Sequence, residues 1–233
     1  MSPMTMKQRL YLLSAASVIG AGCSLLAGFY HCILDWGIEF MWRWLRPKMT
    51  ASWLHPWMTL PLTCGLMGFL VGIATKLLGE PSANLAGCVK EFKEHGKIRH
   101  DDLTSGRMIV VSLLSVIGGG SLGPEAPIVA LGGGLADLVA KLFNFGPAEQ
   151  SVTAICGMGA GLAIFFDNAL GGSLFACEVL HRFGLEYYEA ILPALWTALV
   201  AQLSSRALSG RAIGPLWDFT VAEKAAATEW WHT

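Results

Sequence analysis

The residues with the most chemical content lie between Gly118 and Gly134, where the chain reads GGGSLGPEAPIVALGGG inside a long apolar stretch. Gly123 and Pro124 end the helix before them. Pro124 and Pro127 suit the first turn of the next helix, whose amides have no intrahelical acceptor. Glu125 is thereby predicted at a helix N-terminus within a membrane. An ionisable group there costs ~2.5 to 3.5 kcal/mol on insertion scales, which marks it as functional by default. The free amides and partial positive charge that stabilise its carboxylate would bind a mobile anion equally well. Glu125 is therefore a candidate tethered competitor at an anion site, with protonation loosening its hold. The plainer reading is that it only caps its helix.

The same segment holds two rival motifs. Gly118, Gly120 and Gly123 match a dinucleotide fingerprint, and Gly119-x-Ser121-x-Gly123 matches a nucleophile elbow. The first needs a preceding strand, a soluble βαβ unit and an acidic residue about 20 positions on, a context this chain does not supply. The second would make Ser121 the nucleophile of an intramembrane serine hydrolase with His31 or His181 as base, yet neither histidine stands in a catalytic pattern. Asp137 is expected to pair with Lys141 four residues on, and Asp167-Asn168 to cap the helix that follows. Glu178 is either a buried structural carboxylate or part of an inner vestibule. Six cysteines, Cys23, Cys32, Cys64, Cys88, Cys156 and Cys177, lie far apart without a CxxC pair and read as small hydrophobes. No metal or cofactor is implied.

The elements that position Glu125 follow from hydropathy. Leu10–Phe40 is long enough to span a bilayer at a tilt, with Lys7 and Arg9 before it and no clear signal cleavage site. A loop from Trp42 to Trp57 carries Arg43, Arg46 and Lys48. Met58–Leu78 is a second spanning candidate, with Gly68 and Gly72 as a small-xxx-small pair. Gly79 to Arg107 is polar. Met108 to Leu142 is apolar but cut at Gly118–Gly120 and Gly123-Pro124, leaving pieces too short to cross alone. Val152–Phe166 and Gly171–Leu180 repeat the pattern around Asp167-Asn168, a longer helix runs from about Leu185 to Leu208, and Ser209 to Thr233 is an irregular polar tail. Seven or eight helices result. Broken backbone at membrane depth has to be buried in protein or line a wet cavity, so such breaks mark transport sites.

Composition agrees. Of 233 residues, 54% are hydrophobic and 14% charged, against roughly a quarter charged in soluble domains, which excludes a soluble globular domain. A net charge of -1 leaves no basic excess for nucleic acid. Trp36, Trp42, Trp44, Trp53 and Trp57 suit a membrane interface.

GPEAP at Gly123 to Pro127 resembles the gating-glutamate motif of the CLC chloride channels and transporters. GMGAGLAIFFDNALGGSLFACE, from Gly157 to Glu178, resembles that family's next stretch, and the likeness runs from about Gly79 to Leu208. It implies an all-α integral membrane fold: the first of two inverted-topology halves, with short, broken, tilted helices over residues 1–208, a polar cytoplasmic segment at about 79–107 and an N-terminus inside. It also implies Glu125 as gate, Gly123, Pro124, Ala126, Pro127 and Ile128 as part of the anion site, and Ser82 as the displaced serine of an inner anion loop reading GEPSA. Chloride or a similar small anion would be the cargo, the cell (inner) membrane the location, and a homodimer the assembly. Val179 stands where proton-coupled members carry a second glutamate, which points to channel-like transport, with a proton-coupled exchanger as alternative. The second half and its pore tyrosine have no counterpart before Thr233. The chain is then either a truncated product, which the tail favours, or a half-subunit completed by a second half; a lone half without activity that assembles with longer relatives is a further reading.

Overall fold

A computed structural model describes residues 6–45, 47–48, 56–78, 94, 102–120, 125–181 and 187–209. Among them are seven α-helices and no strand: α1 (Met6–Ile38), α2 (Pro56–Leu78), α3 (Asp102–Ile117), α4 (Glu125–Leu142), α5 (Pro147–Phe165), α6 (Ala169–His181) and α7 (Tyr187–Ser209), with a π-helical turn, Glu39–Leu45, continuing α1. The all-helical membrane fold expected from the sequence is what the chain adopts. The polar segment expected to end at Arg107 differs in one respect: its last six residues already belong to α3. Most of that segment, and the tail beyond Ser209, lie outside the described residues.

Four stretches, Leu10–Leu45, Met58–Leu78, Pro147–Phe165 and Glu189–Leu208, are long and apolar enough to cross a membrane. The 13 residues of α6 rise only about 20 Å, short of a hydrocarbon core of about 30 Å. The short helix expected around Gly171–Leu180 is present, whereas the one expected to be short from Val152 starts five residues earlier, at Pro147, and is long enough to cross.

Helix α5 is the axis. Every residue from Val152 to Phe165 is buried, as expected for a helix that is apolar all round, and α1, α4, α6 and α7 pack on it. What brings the backbones together is small residues. A Cβ on Gly132 of α4 would overlap the Gly157 carbonyl of α5, and a Cβ on Gly157 would overlap the Gly132 carbonyl. One turn on, Gly161 faces the Ile128 backbone, 2.9 Å from where its own Cβ would stand. Gly20 of α1 meets the Thr197 carbonyl of α7 in the same way, at 2.6 Å. This is the small-residue packing of membrane helices, where dispersion replaces the hydrophobic effect as the driving force. It is not where the sequence pointed, since a Cβ on Gly68 or Gly72 would have nothing within 4 Å.

The polar ends are tied locally. Pro147 opens α5 behind Gly146, whose amide donates to the Glu149 carboxylate at 2.9 Å. Asn144 takes a left-handed φ of 51° after α4. Tyr11 closes that corner against Phe143 and Phe145, with ring centroids 5.0 and 5.6 Å away. Asp137 and Lys141 pair at 2.7 Å as expected. Asn168 caps α6 by accepting from the Gly171 amide at 2.9 Å. Asp167 plays a different part, because its carboxylate accepts from Gln202 at 2.8 Å and from Arg206 at 3.2 Å, clamping α7 to the α5–α6 turn.

Outward, Leu25, Phe29, Trp36, Leu66, Phe69, Leu77, Leu192 and Leu203 are all exposed, an apolar exterior that suits lipid and not water.

Candidate functional site

Glu125 is the first residue of α4 and is half-buried. Ala126 beside it is half-buried, while Pro127 and Ile128 are buried. The sequence assigned those three to the anion site along with Gly123, Pro124 and Ser82, which lie outside the described residues, as does Ser121 of the hydrolase reading.

How α4 comes to start there can be followed from α3. That helix ends at Ile117, and the chain turns through Gly118 and Gly119. Gly119 has φ +89°, in the left-handed half of backbone space that residues with a Cβ avoid. Both glycines are also hemmed in, Gly118 by Met67 of α2 at 2.6 Å from a would-be Cβ and Gly119 by the Trp42 ring at 3.0 Å. Trp42 does more than fill space: its indole N–H donates to the Ile117 carbonyl at 2.9 Å, satisfying a C-terminal acceptor of α3 that has no helical partner. The sequence placed Trp42 at an interface and gave it no such role.

From its start α4 runs directly into the glycine seam. Ile128, one turn after Glu125 and on the same side of the helix, packs in a buried cluster with Tyr30 and Leu34 of α1 and Phe165 of α5, flanked by Ile109 and Leu113 of α3. Glu125 therefore stands where α1, α3, α4 and α5 converge. Polar side chains enter this otherwise apolar junction. The Tyr30 hydroxyl lies 3.3 Å from Ser112 Oγ of α3. His31 is buried next door, its ring stacked 6.4 Å from that of Phe165, with Nε2 unpaired among the described residues. Sequence reading missed Tyr30 and Ser112. The signal available was a hydroxyl inside each of two apolar runs, since a polar group in hydrocarbon is expected to find a partner.

The remaining candidates fall elsewhere. Glu178 is exposed on α6, so it is not a buried carboxylate among the described residues. Cys23, Cys156 and Cys177 are buried in the core and Cys32 and Cys64 are exposed, all free. No group of three or more His, Cys, Asp or Glu side chains that could hold a metal occurs among the described residues. Chemically, the described residues offer a carboxylate at a helix start, set against apolar walls.

Comparison with known proteins bears on what such a junction is for. The family model described as voltage gated chloride channel matches residues 67–233. A chloride/fluoride channel protein of Pseudomonas syringae pv. tomato is 30% identical over 179 residues, covering 76% of this chain and 37% of the relative. A voltage-gated ClC-type chloride channel of Citrobacter koseri is 29% identical over 205 residues, covering 84% and 47%. The chain thus spans less than half the length of these relatives. Among solved structures, a slow cyanobacterial Cl-/H+ antiporter matches with a TM-score of 0.69 at 22% identity, over 90% of this chain and 49% of that one.

Proposed function

The chain belongs to the voltage-gated chloride channel family, and from that premise we propose that it takes part in moving chloride or a similar small anion across a membrane, with Glu125 as the gate. The observation that carries the reading is Glu125 at the first position of α4, half-buried at a four-helix junction. The early amides of α4 have no intrahelical acceptor, and the macrodipole places partial positive charge there. A carboxylate at that end and an anion compete for the same donors. When the carboxyl is charged it holds the position, and when it is protonated the anion takes it. Backbone amides near Ala126, Pro127 and Ile128 form the α4 side of the anion site in this reading; Gly123, Pro124 and Ser82 are assigned to it by resemblance.

Transport is channel-like in this proposal. By the resemblance, Val179 stands where proton-coupled members carry a second glutamate, so in this reading the internal proton acceptor of an exchanger is missing at that place. A second half of comparable size completes the pore, and the assembly is a homodimer in the cell membrane; support for both is the family alone.

Glu125→Gln removes the charged competitor without changing its size. In reconstituted vesicles it is expected to raise anion flux and to flatten its dependence on pH. Flux and pH response equal to the parent's would refute the gate. Acidification or alkalinisation of vesicles driven by a chloride gradient would favour the exchanger over the channel.

A further inference from the structure

The far end of α1 carries a row of side chains that neither the core nor the gate uses. Trp36, Phe40 and Trp44 follow one another at four-residue spacing, their rings stacked at centroid distances of 5.7 and 5.1 Å with interplanar angles of 14° and 24°. Lys48 extends the row, its Nζ 3.5 Å from the centre of the Trp44 ring. Four residues overshoot an α-helical turn, so such a row would normally wind around the helix. Here its second step falls in the π-helical turn Glu39–Leu45, whose wider turn takes that drift back and keeps the rings in line. The same turn is anchored to the protein, with Met41 buried and the Trp42 indole bonded to the Ile117 carbonyl. The three stacked rings are not part of that anchor, being 69%, 42% and 51% exposed.

Charge places the row within the membrane. From Leu10 to Leu34 the sequence has no Asp, Glu, Lys or Arg. That stretch of α1 rises about 37 Å, which fits a hydrocarbon core of about 30 Å at a tilt of about 40°. Charged residues begin directly beyond it with Asp35 and Glu39, so Trp36 stands at the hydrocarbon boundary and Trp44 and Lys48 among the headgroups. Farther out the cations prevail: Arg43, Arg46 and Lys48 follow, and no Asp or Glu occurs between Glu39 and Glu80. Glu39 holds Arg43 at 3.2 Å, but the two side chains are 67% and 81% exposed, a pairing weak enough for a phosphate to displace. We propose that this row is a docking site for an anionic phospholipid, with Lys48 and Arg43 taking its phosphate and Phe40 and Trp36 lying along its acyl chains. Aromatic rings suit that boundary, and each surface cation adds attraction for an anionic headgroup. A zwitterionic choline lipid would meet the same rings but bring its own cation against Lys48. The site stands whether or not Glu125 is the gate.

The full chain, reconstituted in phosphatidylcholine vesicles, reports such docking through its tryptophan emission. Phospholipids brominated on their chains quench the indoles they touch, and the share belonging to the row is the part that Trp36→Phe removes while keeping a ring in the stack. Brominated phosphatidylglycerol is expected to quench that share at a mole fraction about tenfold lower than brominated phosphatidylcholine does. Lys48→Gln is expected to narrow this gap by about fivefold, the worth of one surface cation, and Arg43→Gln added to it to close the rest. Lys76→Gln, at the end of α2 and outside the row, should leave the gap as it is. Equal quenching by the two lipids overturns the proposal, as does a preference that survives the loss of both Lys48 and Arg43 or falls equally in Lys76→Gln. Emission that neither lipid quenches overturns it too, since a second protein chain seated on the row would have that effect.

Discussion

The contact that fixes α4 makes a quantitative demand on two glycines. Gly132 and Gly157 face each other so closely that a Cβ on either would overlap the other's carbonyl. An ordinary van der Waals contact at that position needs about 3.4 Å or more, so Gly157→Ala has to part the two helices by about 1 Å along the seam. The obstacle is backbone and has no rotamer with which to retreat. The cost therefore belongs at or above the upper end for overpacked cores, about 3 kcal/mol. Gly132→Ala should cost the same, because the obstruction is reciprocal. Once either substitution has opened the seam, the second finds room, so the double variant is expected to fall short of the sum by at least about 1 kcal/mol. Gly28→Ala and Gly65→Ala are the controls: nothing lies within 4 Å of their Cβ positions, and both should change stability by less than about 1 kcal/mol. Equilibrium unfolding of the purified chain in mixed detergent micelles measures all five variants against the parent. Parent-like stability of Gly132→Ala and Gly157→Ala, or strict additivity in the double variant, would refute the seam.

Three further outcomes follow from single contacts. Lys141→Ala leaves the Asp137 carboxylate, 2% exposed, without its cation, whereas Asp137→Asn removes the charge itself; the lysine variant should be the less stable by about 1 kcal/mol in the same unfolding assay, and the reverse order would refute the pairing. Gly119→Ala sets a Cβ at φ +89° and 3.0 Å from Trp42, and is expected to lower stability by about 1 to 2 kcal/mol; a neutral result would mean that the turn has another geometry. Trp42→Phe keeps the ring over that turn but strips the Ile117 carbonyl of its donor, at about 1 to 2 kcal/mol, and a variant carrying both substitutions should cost less than their sum because they share one turn.

How far the sequence carried depended on the kind of information each feature needs. Helix existence and type were legible because hydropathy and breakers are local: the break at Asp167-Asn168 and the span Met58–Leu78 appear in the structure at or within a few residues of the expected bounds. Asp137 with Lys141 was legible for the same reason, four residues being one turn. Partners across elements were not. Asp167 looked like a second cap because capping is what an aspartate at a break does locally, but its partners are Gln202 and Arg206, more than thirty residues away. Gly68 and Gly72 fitted a packing spacing as well as Gly157 and Gly161 do, and spacing alone cannot tell which face finds a neighbour.

The same distinction separates the two layers of the site. That Glu125 begins a helix is written in Gly123-Pro124 and Pro127, a matter of backbone chemistry within five residues. What surrounds the carboxyl is decided by the seam. Gly132, Gly157 and Gly161 let α4 and α5 close to backbone contact, and that closeness carries Ile128, and with it the turn bearing Glu125, up to Tyr30 and Leu34 of α1 and Ile109 and Leu113 of α3. Widening the seam by the ~1 Å of a single methyl would move the start of α4, and Glu125 with it, by a similar amount. A substitution at Gly157, on the neighbouring helix α5, should therefore shift the pH dependence of anion flux in reconstituted vesicles, and a profile equal to the parent's would refute the link between seam and gate.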